Sequence, residues 1–423
     1  MRAELKPGVH QIPPSLVPSG WRAAQLREVA RTFAGGRLGF TKQQHYRSSG
    51  IPAFSAAGQD GFVDKAEFQD VEGVVLSAIG ANCGRCFFAE GDWTTLANTQ
   101  AIIPSSELDA RYLFNRVNRE DFWPRSGSAQ PFIKPSSIGD CWLLLPSLSE
   151  QRRIAEILDT LDEAIRKTER VIAKLQQMKQ GLLHELLTRG IDENGEFRNP
   201  ERHPERFKDS PLGRIPREWE AAPLGSRFSV KGGKRLPAGH SYSLGPTNYR
   251  YLRVSDFYER DIKMDELESL TASTFNALRR YEICNDDLYV SIAGSIGRFG
   301  VFLCEDPTVR TILTENAARL ANTAEDLSEF AALQANHYRV QRQVLTEIGS
   351  GGGVPKLALF RIEGLLFAWP DYAEQVRIAE IAAIPLKRIA CEEKYLCKLY
   401  AFKQGLMDDL LTGRVRVRPK EAE

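Results

Sequence analysis

Two long stretches of the chain carry apolar residues at alternating four- and three-residue spacings, the pattern of a helix that packs against another helix. The first stretch has its repeat positions at Ile154, Leu158, Leu161, Ile165, Thr168, Ile172 and Leu175. No proline or glycine interrupts it before Gly181. At ~1.5 Å per residue, a helix from Gln151 to Thr188 would be roughly 55 Å long. The pattern therefore predicts one long helix that needs a partner helix.

The second stretch repeats the first near the C-terminus. Glu150-Gln151 matches Glu374-Gln375, and Lys179-Gln180-Gly181-Leu182 matches Lys403-Gln404-Gly405-Leu406, each pair 224 positions apart. Two unrelated amphipathic helices would not keep this register without a gap. We therefore predict that the two helices pack on each other within one chain. The further predicted positions of the coiled-coil core are Leu182, Ile378, Ile389, Leu396, Leu399 and Leu406.

Pro385 interrupts the match, because it stands where the first stretch has Leu161. A proline inside a helix removes one backbone hydrogen bond and clashes with the preceding turn, but it is tolerated in the first turn. The sequence thus predicts that the second stretch divides into a short helix from about Tyr372 to Ala383 and a longer helix that starts near Pro385.

A segment of mixed character precedes each long stretch. In the first segment, the apolar runs from Val71 to Gly80 and from Ala97 to Pro104 are predicted to be strands. Both segments open on similar sequences around Trp21 and Trp219, 198 positions apart. Because the separation grows to 224 at the helices, the second segment is 26 residues longer. This predicts an α+β fold with an internal pseudo-two-fold repeat, in which the two domains share their ends but differ in the sequence between them.

The predicted boundaries divide the chain into six segments. They are 1–147, a first mixed α/β domain; 148–190, the first long helix; 191–216, a linker rich in charge, glycine and proline; 217–370, a second mixed α/β domain; 371–414, the second long helix; and 415–423, a basic tail.

Composition favours a soluble protein. The chain has 423 residues, of which 42% are hydrophobic and 26% charged, as in ordinary globular proteins. No run of eighteen apolar residues occurs, and the N-terminus lacks a signal-peptide core. We therefore expect a cytoplasmic protein. Its seven scattered cysteines fit reduced thiols better than a disulfide framework.

A net charge of +1 does not indicate nucleic acid, but the charges are unevenly placed. Residues 29–59 and 221–255, near the start of each domain, contain no acid. The glycine turns Gly80–Arg85 and Gly294–Arg298 can each present an arginine to phosphate or to guanine. The predicted DNA-binding side chains are Arg37, Lys42, Gln43, His45, Tyr46, Arg47, Asn82, Arg85, Lys231, Lys234, Arg235, His240, Tyr249, Arg250, Arg253 and Arg298. An ordinary solvated surface stays open for each window and turn.

Motifs for catalysis or metal binding are weak. Cys83 and Cys86 form a C-x-x-C pair, but a zinc site needs about four ligands, and no second pair lies at a suitable spacing. Asp371, Glu392 and Lys394 match the loose PD…E-x-K nuclease pattern. The last two fall on the second predicted helix, whereas that Mg²⁺ chemistry needs residues from neighbouring strands.

The glycine run 349–353 is not a nucleotide P-loop, because no G-x-x-x-x-G-K-[ST] occurs. It is either a flexible loop or a loop that fits closely against a DNA backbone. We find no N-P-P-Y or D-P-P-Y methyltransferase motif and no serine or cysteine triad. The sequence therefore favours binding over catalysis, and we expect no catalytic or metal site.

These features together resemble the specificity subunits of type I restriction-modification systems. The resemblance rests on the tryptophan that opens each domain, the glycine–arginine turns, the E-Q-x-R-I-A-E-I starts at Glu150 and Glu374, and the K-Q-G-L…L-L-T ends of both helices. The linker from Phe207 to Trp219 is similar too. The resemblance covers nearly the whole chain.

The resemblance implies that each mixed domain is a target recognition domain that reads one half of a split DNA sequence. It also implies that the two helices pack as an antiparallel coiled coil and bind two modification subunits, which hold S-adenosylmethionine and methylate adenine. Restriction subunits would use ATP and Mg²⁺ to translocate and cut DNA. This chain would then have no active site and no cofactor of its own.

Two other interpretations stay open. The chain could be a coiled-coil scaffold whose globular ends bind peptides. Salt-sensitive binding to random DNA and copurification with a methyltransferase would distinguish a specificity subunit from such a scaffold. It could also be an orphan or type IIB-like specificity chain, or belong to an inactive system.

Overall fold

Two compact units make up the protein in a computed structural model that describes residues 12–119, 121–127, 129–257, 262–348 and 355–418. Unit 1 holds the residues up to Arg170 together with those from Glu392 onward, and unit 2 runs from Val171 to Cys391. Each unit therefore contains one mixed α/β domain and parts of both long helices. The six boundaries predicted from the sequence stay a prediction, because these units divide each long helix instead of separating it.

The elements of the first domain lead into the first long helix. Its strands are β1 (Arg22–Gln25), β2 (Ala30–Ala34), β3 (Ile51–Ser55), β4 (Gly58–Val63), β5 (Gly73–Ser77), β6 (Cys86–Ala89), β7 (Thr94–Thr95), β8 (Thr99–Pro104), β9 (Arg125–Ser126), β10 (Phe132–Ile133) and β11 (Trp142–Leu145). Its helices are α1 (Leu26–Val29), α2 (Lys42–His45), α3 (Ala110–Val117) and α4 (Pro135–Ile138), and the long helix is α5 (Leu148–Thr188).

The second domain precedes the second long helix in the same way. Its strands, with two in the linker, are β12 (Phe207–Lys208), β13 (Ile215–Pro216), β14 (Glu220–Pro223), β15 (Phe228–Gly232), β16 (Tyr249–Leu252), β17 (Glu268–Ser269), β18 (Glu282–Ile283), β19 (Leu288–Ser291), β20 (Phe299–Val301), β21 (Arg310–Leu313), β22 (Ala317–Asn322) and β23 (Leu366–Trp369). Its helices are α6 (Ala272–Leu278), α7 (Ser328–Ala335), α8 (Tyr338–Glu347) and α9 (Leu359–Glu363), and the long helix is α10 (Tyr372–Leu410).

The same three sheets recur in both domains. An antiparallel pair joins the first and last strands of each domain, β1 with β11 and β14 with β23. A four-stranded antiparallel sheet has the order β2-β8-β5-β6 in one domain and β15-β22-β19-β20 in the other. The third sheet contains one parallel pair in each, β3 with β7 and β16 with β21. The internal repeat predicted from the sequence is therefore a repeat of structure.

Each long helix begins where a polar side chain caps it. The Ser147 hydroxyl accepts from the Glu150 amide (3.4 Å), and the Asp371 carboxylate accepts from the Glu374 amide (2.8 Å). The structure describes no helix long and apolar enough to cross a membrane.

The start of each long helix packs on the end of the other. In unit 1, Ile154 and Leu158 of α5 share a hydrophobic cluster with Leu410 of α10. In unit 2, Leu186 at the end of α5 shares a cluster with Ile378 of α10. Antiparallel packing of α5 and α10 is the arrangement that satisfies both clusters.

The coiled-coil positions face inward to different degrees. Those that are fully buried are Ile154, Leu158, Ile165, Thr168, Ile172, Ile378, Ile389 and Leu399. Those that are half-buried are Leu161, Leu175, Leu182, Leu396 and Leu406.

The predicted break at Pro385 is wrong. α10 is one helix from Tyr372 to Leu410 with Pro385 inside it. Ala382 and Ile389, on either side of the proline, are both fully buried. Since most helix stability in a protein comes from packing of the apolar face, this burial holds the helix together despite one missing backbone hydrogen bond.

The repeated Glu-Gln pair at each helix start has a structural role in each unit. In unit 1, the Glu150 carboxylate accepts from the Trp21 indole (3.1 Å) and pairs with Arg416 (2.8 Å). In unit 2, Glu374 accepts from the Trp219 indole (3.0 Å) and pairs with Arg198. Each glutamate therefore joins the domain's opening tryptophan to an arginine that follows the end of the other long helix.

The neighbouring glutamine ties the helix to a loop of its own domain. The Gln151 side chain accepts from the Asp109 amide (2.8 Å), and the Gln375 side chain accepts from the Leu327 amide (2.9 Å). These loops lead directly into α3 and α7. The Glu-Gln repeat thus positions equivalent helices in the two domains.

Candidate nucleic-acid interface

A tight glycine turn connects β5 to β6 at the edge of the first domain. The Gly84 amide donates to the Ser77 carbonyl (2.8 Å), and the Ser77 amide donates to the Arg85 carbonyl (2.9 Å). Gly80 and Gly84 have φ angles of 95° and 92°, which only glycine adopts readily. The turn leaves the Arg85 side chain exposed, next to the Asn82 amide oxygen (3.3 Å).

The second domain builds the same turn between β19 and β20. The Gly297 amide donates to the Ser291 carbonyl (2.9 Å), and the Ser291 amide donates to the Arg298 carbonyl (3.0 Å). Gly294 and Gly297 again have positive φ, 76° and 84°. Arg298 is exposed at the same position as Arg85. Two different sequences therefore present an arginine on one and the same backbone frame.

A second segment lies beside each turn and brings a second cation. The Ile133 amide donates to the Ala78 carbonyl in the first domain, and the Leu357 amide donates to the Ile292 carbonyl in the second, both at 2.9 Å. Lys356, next to Leu357, forms a β-bridge with the residue before Gly294.

In the first domain the second cation is Arg125. A Cβ atom on Gly84 would lie 2.7 Å from the Arg125 guanidinium, so the arginine rests directly on the turn. Arg125 and Lys356 are both exposed, and neither forms an ion pair with a described residue. Sequence analysis missed both. For Lys356 a signal was present, because Pro355, which precedes it, lies 224 positions after Pro131, as the helices do. Arg125 lies before Pro131 and has no such signal.

The acid-free window of the first domain is neutralised by carboxylates from outside it. Arg37 pairs with Glu67 (2.5 Å) and also lies over the Phe33 ring. Lys42 pairs with Asp60, and Arg47 lies 3.7 Å from Asp64. The predicted positive footprint is therefore smaller in the fold than along the chain.

Asp60 organises the neighbouring side chains of this window. It accepts from the Ser55 hydroxyl (2.6 Å), from the Tyr46 hydroxyl and from Lys42. Burial alone would raise the pKa of Asp60, but these hydrogen bonds and the Lys42 charge outweigh burial and lower it. The pKa of Tyr46 is raised, first by burial and then by its bond to Asp60. His45 stacks on Phe40, and Gln43 is exposed.

The window of the second domain is also largely engaged. Arg253 pairs with Asp256 and with Glu268, both at 3.0 Å, and its pKa is raised chiefly by the Asp256 hydrogen bond. Arg235 lies 3.3 Å from Glu315. These two arginines therefore have carboxylate partners inside their own domain.

Three more predicted residues of this window have neutral partners. Arg250 donates to the Ser269 hydroxyl (2.8 Å) and to a backbone carbonyl. Tyr249 stacks on Phe275 with ring centroids 4.4 Å apart, and His240 lies 3.0 Å from the Thr274 hydroxyl. Lys231 and Lys234 are exposed and form no ion pair with a described residue.

Some exposed cations that form no ion pair with a described residue lie at the two turns and at one strand end. These are Arg85 and Arg125 in the first domain, and Lys231, Lys234, Arg298 and Lys356 in the second. A pair of unpaired cations on a tight turn can accept a phosphate or the acceptor edge of guanine. The glycine run 349–353, for which a backbone-fitting role stayed open, lies outside the described residues.

The weak catalytic motifs have structural explanations. Cys83 and Cys86 are buried, and burial raises the pKa of the Cys86 thiol to about 12. Asp371 caps α10, while Glu392 and Lys394 lie along that helix. Within the described residues, no three His, Cys, Asp or Glu side chains come close enough to hold a metal ion.

Comparison with known proteins finds a family model and relatives that are similar to this chain. Residues 18–177 match the family model described as the type I restriction modification DNA specificity domain. The type I restriction enzyme MjaVIII specificity subunit of Methanocaldococcus jannaschii is 22% identical, with 82% of this chain and 79% of that protein covered. This chain is therefore similar to type I restriction-modification specificity subunits.

Other specificity subunits match over nearly the whole length. The putative type I restriction enzyme MjaX specificity subunit of Methanocaldococcus jannaschii is 20% identical, with 95% of both chains covered. The crystal structure of the type I S subunit from M. genitalium superposes with a TM-score of 0.61, covering 96% of this chain and 99% of that chain at 14% identity. Similarity to the DNA specificity domain and to these subunits supports DNA target recognition as the broad role of the chain.

Proposed function

We propose that this chain is the non-catalytic subunit that reads a bipartite DNA target, with each mixed domain acting as a target recognition domain for one half-site. The observation that carries the proposal is the turn frame built twice, from Gly80 to Arg85 and from Gly294 to Arg298, each with an unpaired second cation beside it. A common frame suits the common duplex backbone, and different flanking side chains suit two different half-sites.

We propose that Arg85 with Arg125, and Arg298 with Lys356, make the principal contacts at the two half-sites. Arginine suits guanine, whereas lysine suits phosphate equally well. The window residues with internal partners, such as Lys42 and Arg253, would then hold the shape of the surface. Gln43, Lys231 and Lys234 have free side chains that can add contacts to bases or phosphates.

We further propose that α5 and α10 set the spacing between the half-sites and bind two modification subunits. Exposed apolar side chains at Ile384, Tyr395 and Phe402 support the second part, because their spacing of eleven and seven residues keeps them on one face of α10. The modification subunits would supply S-adenosylmethionine and methylate adenine. Restriction subunits would supply ATP-driven translocation and Mg²⁺-dependent cleavage. A cytoplasmic location belongs to the same proposal.

The spacing hypothesis gives a direct test. Readers related by symmetry place half-sites about one helical turn of DNA, roughly 10 bp, or a multiple of it apart. Inserting one heptad into both long helices should lengthen the tolerated gap between the half-sites. An unchanged gap would refute the role of the helices as spacers.

The contacts are tested by paired variants in each domain. Once methylated adenines have defined the target, Arg85→Ala with Arg125→Ala should relax one half-site, and Arg298→Ala with Lys356→Ala the other. Each good bidentate contact contributes ~1–3 kcal/mol to base discrimination, so binding of the matched half-site should fall at least fivefold. The control is Arg152→Ala, which removes an exposed arginine on α5.

Retention of full discrimination by both paired variants would contradict the residue assignment. A scaffold with peptide-binding ends, the alternative left open by the sequence, predicts no salt-dependent DNA binding at all. Binding of the unaltered chain to random duplex across a salt series therefore separates the two functions before any variant is made.

A further inference from the structure

Unit 2 contains a helix for which unit 1 has no described counterpart. The helices α3 and α7 end on equivalent asparagines, since Asn118 accepts from the Cys86 amide (3.1 Å) and Asn336 accepts from the Phe299 amide (3.4 Å). In unit 1, β9 begins seven residues after Asn118, whereas in unit 2 the ten-residue helix α8 follows Asn336. α8 is therefore part of the additional length of the second domain.

One face of α8 lines a cleft of about 730 Å³. The other walls come from α9, from the residues that precede β23, and from linker residues 211–213. All of these residues belong to unit 2. The opposite face of α8 packs on the glycine turn from Gly294 to Arg298, because a Cβ atom on Gly297 would lie 2.8 Å from Val344. The cleft thus lies on the far side of the helix that supports Arg298.

The charged side chains of the cleft are unbalanced. Arg339, Arg342 and Arg361 line it, with Glu347 as the carboxylate among the lining residues. Arg361 lies 3.3 Å from Glu347, so these two charges offset each other. Arg342 is exposed and forms no ion pair with a described residue. Two positive charges therefore remain in the cleft.

Arg339 carries a donor that the described residues leave unsatisfied. Its Nη2 donates to the Arg214 carbonyl (3.1 Å), but its Nη1 is buried and has no hydrogen-bond partner among the described residues. Because Nη1 has almost no accessible surface, Arg339 contributes its positive charge to the cleft and no direct contact through this atom. The pKa of the nearby His337 is lowered to about 4, first by burial and then by the charges of Arg339 and His184.

Exposed aromatic side chains flank the cationic centre. Tyr338 is 49% exposed at one end of α8, and Phe360 is 70% exposed on α9. Phe360 and Tyr338 both line the cleft. Flat apolar walls beside arginines suit a phosphate that is attached to a sugar or a base.

The cleft also adjoins the basic strand end of the same domain. α9 packs on the end of β15, where a Cβ atom on Gly232 would lie 3.5 Å from Leu359. Lys231, one of the cations without a carboxylate partner, is the neighbouring residue of that strand.

We propose that the cleft between α8 and α9 is a phosphate-binding site, in which Arg342 contacts the phosphate and the charge of Arg339 adds to the attraction. The phosphate belongs either to the DNA backbone, beyond the nucleotides that the turn from Gly294 to Arg298 contacts, or to a free phosphate compound. The DNA source rests on the proposed function, while the free source does not. No equivalent of α8 is described in unit 1. The second domain would therefore have a phosphate-binding site for which the described part of the first domain has no counterpart.

The test uses the full chain and two probes. The first probe is a duplex of random sequence, bound across a potassium chloride series. The second is sodium pyrophosphate, titrated while the melting temperature is recorded. Arg342→Glu alters the exposed cation of the cleft. Arg279→Glu, an exposed arginine of the same unit that forms no ion pair with a described residue, is the matched control because it changes the net charge equally.

If Arg342 contacts the DNA backbone, the slope of log K against log salt should become shallower by ~0.9 in Arg342→Glu but not in Arg279→Glu. A free-phosphate site should instead show a pyrophosphate-induced rise in melting temperature that Arg342→Glu abolishes, with equal DNA slopes. If Arg342→Glu matches Arg279→Glu with both probes, the proposal is overturned. DNA binding by the unaltered chain, measured in the same series, tests the proposed function separately.

Discussion

Removing Arg198 should open the second unit at the point where α10 begins. The Arg198 and Glu374 side chains are 8% and 2% exposed, and they form two hydrogen bonds of 2.5 and 3.0 Å. Glu374 also accepts from the Trp219 indole (3.0 Å) and from the Ile191 amide (2.9 Å). Arg198→Ala would leave this buried carboxylate without its countercharge.

The expected loss of stability follows from that geometry. Deleting one member of a buried ion pair costs ~3–5 kcal/mol, because the remaining charge stays desolvated. Two neutral donors would remain on Glu374, so we expect the lower end, about 3 kcal/mol. Since ~1.4 kcal/mol is tenfold, opening of this region should become roughly a hundredfold more frequent.

Hydrogen exchange measures this opening locally. The amide of Ile191 donates to Glu374, so peptides that contain it should exchange roughly a hundredfold faster in Arg198→Ala. Peptides from β5 to β8 serve as the internal reference. Lys167→Ala, which breaks an exposed pair with Glu163 on α5, should leave stability nearly unchanged, because water screens this pair. If Arg198→Ala and Lys167→Ala exchange alike, the reasoning about the buried pair is refuted.

Three further predictions concern other parts of the chain. The pKa of Glu150 is lowered, because its hydrogen bonds outweigh burial. Its stabilising contribution should be present at neutral pH and lost below the ordinary glutamate value of ~4.3. Unfolding measured from about pH 3 to pH 7 should therefore show a smaller loss of stability in acid for Glu150→Gln than for the unaltered chain. Asp60→Asn should reduce preference for target over random duplex in binding assays, although it removes a negative charge, because Lys42 and Tyr46 lose their anchor; stronger preference would contradict this. Pro385→Ala should raise stability against urea by up to ~3 kcal/mol, because the helix regains a hydrogen bond, and a loss would contradict the continuous helix.

The long helices were predictable because their signal is periodic and written twice. The spacing from Ile154 to Leu175 indicated a helix, and the gapless second copy indicated its partner. Pro385 misled the prediction, because the rule for proline is local whereas the packing of Ala382 and Ile389 is tertiary. The Glu-Gln starts were visible as a motif, but the arginines that pair with their glutamates follow the ends of the other helices.

The charged surface was harder to predict, because separation along the chain is not separation in space. The window from residue 29 to 59 contains no acid, yet in the fold Glu67 pairs with its Arg37 and Asp60 pairs with its Lys42. Glu315 and Glu268 do the same for the second window. The glycine turns were recognisable from sequence, since a positive φ demands glycine. The segments that carry Arg125 and Lys356 reach those turns through tertiary hydrogen bonds, which no local pattern announces.

The most direct test of the central claim is a map of N6-methyladenine across the genome of cells that carry this gene with its modification subunits, compared with cells that lack it. The account predicts a gene-dependent bipartite motif with two different half-sites and an unread gap. The Arg85→Ala and Arg125→Ala variant should then relax one half of the motif and leave the other unchanged. A continuous motif, or methylation that does not depend on the gene, would contradict the account.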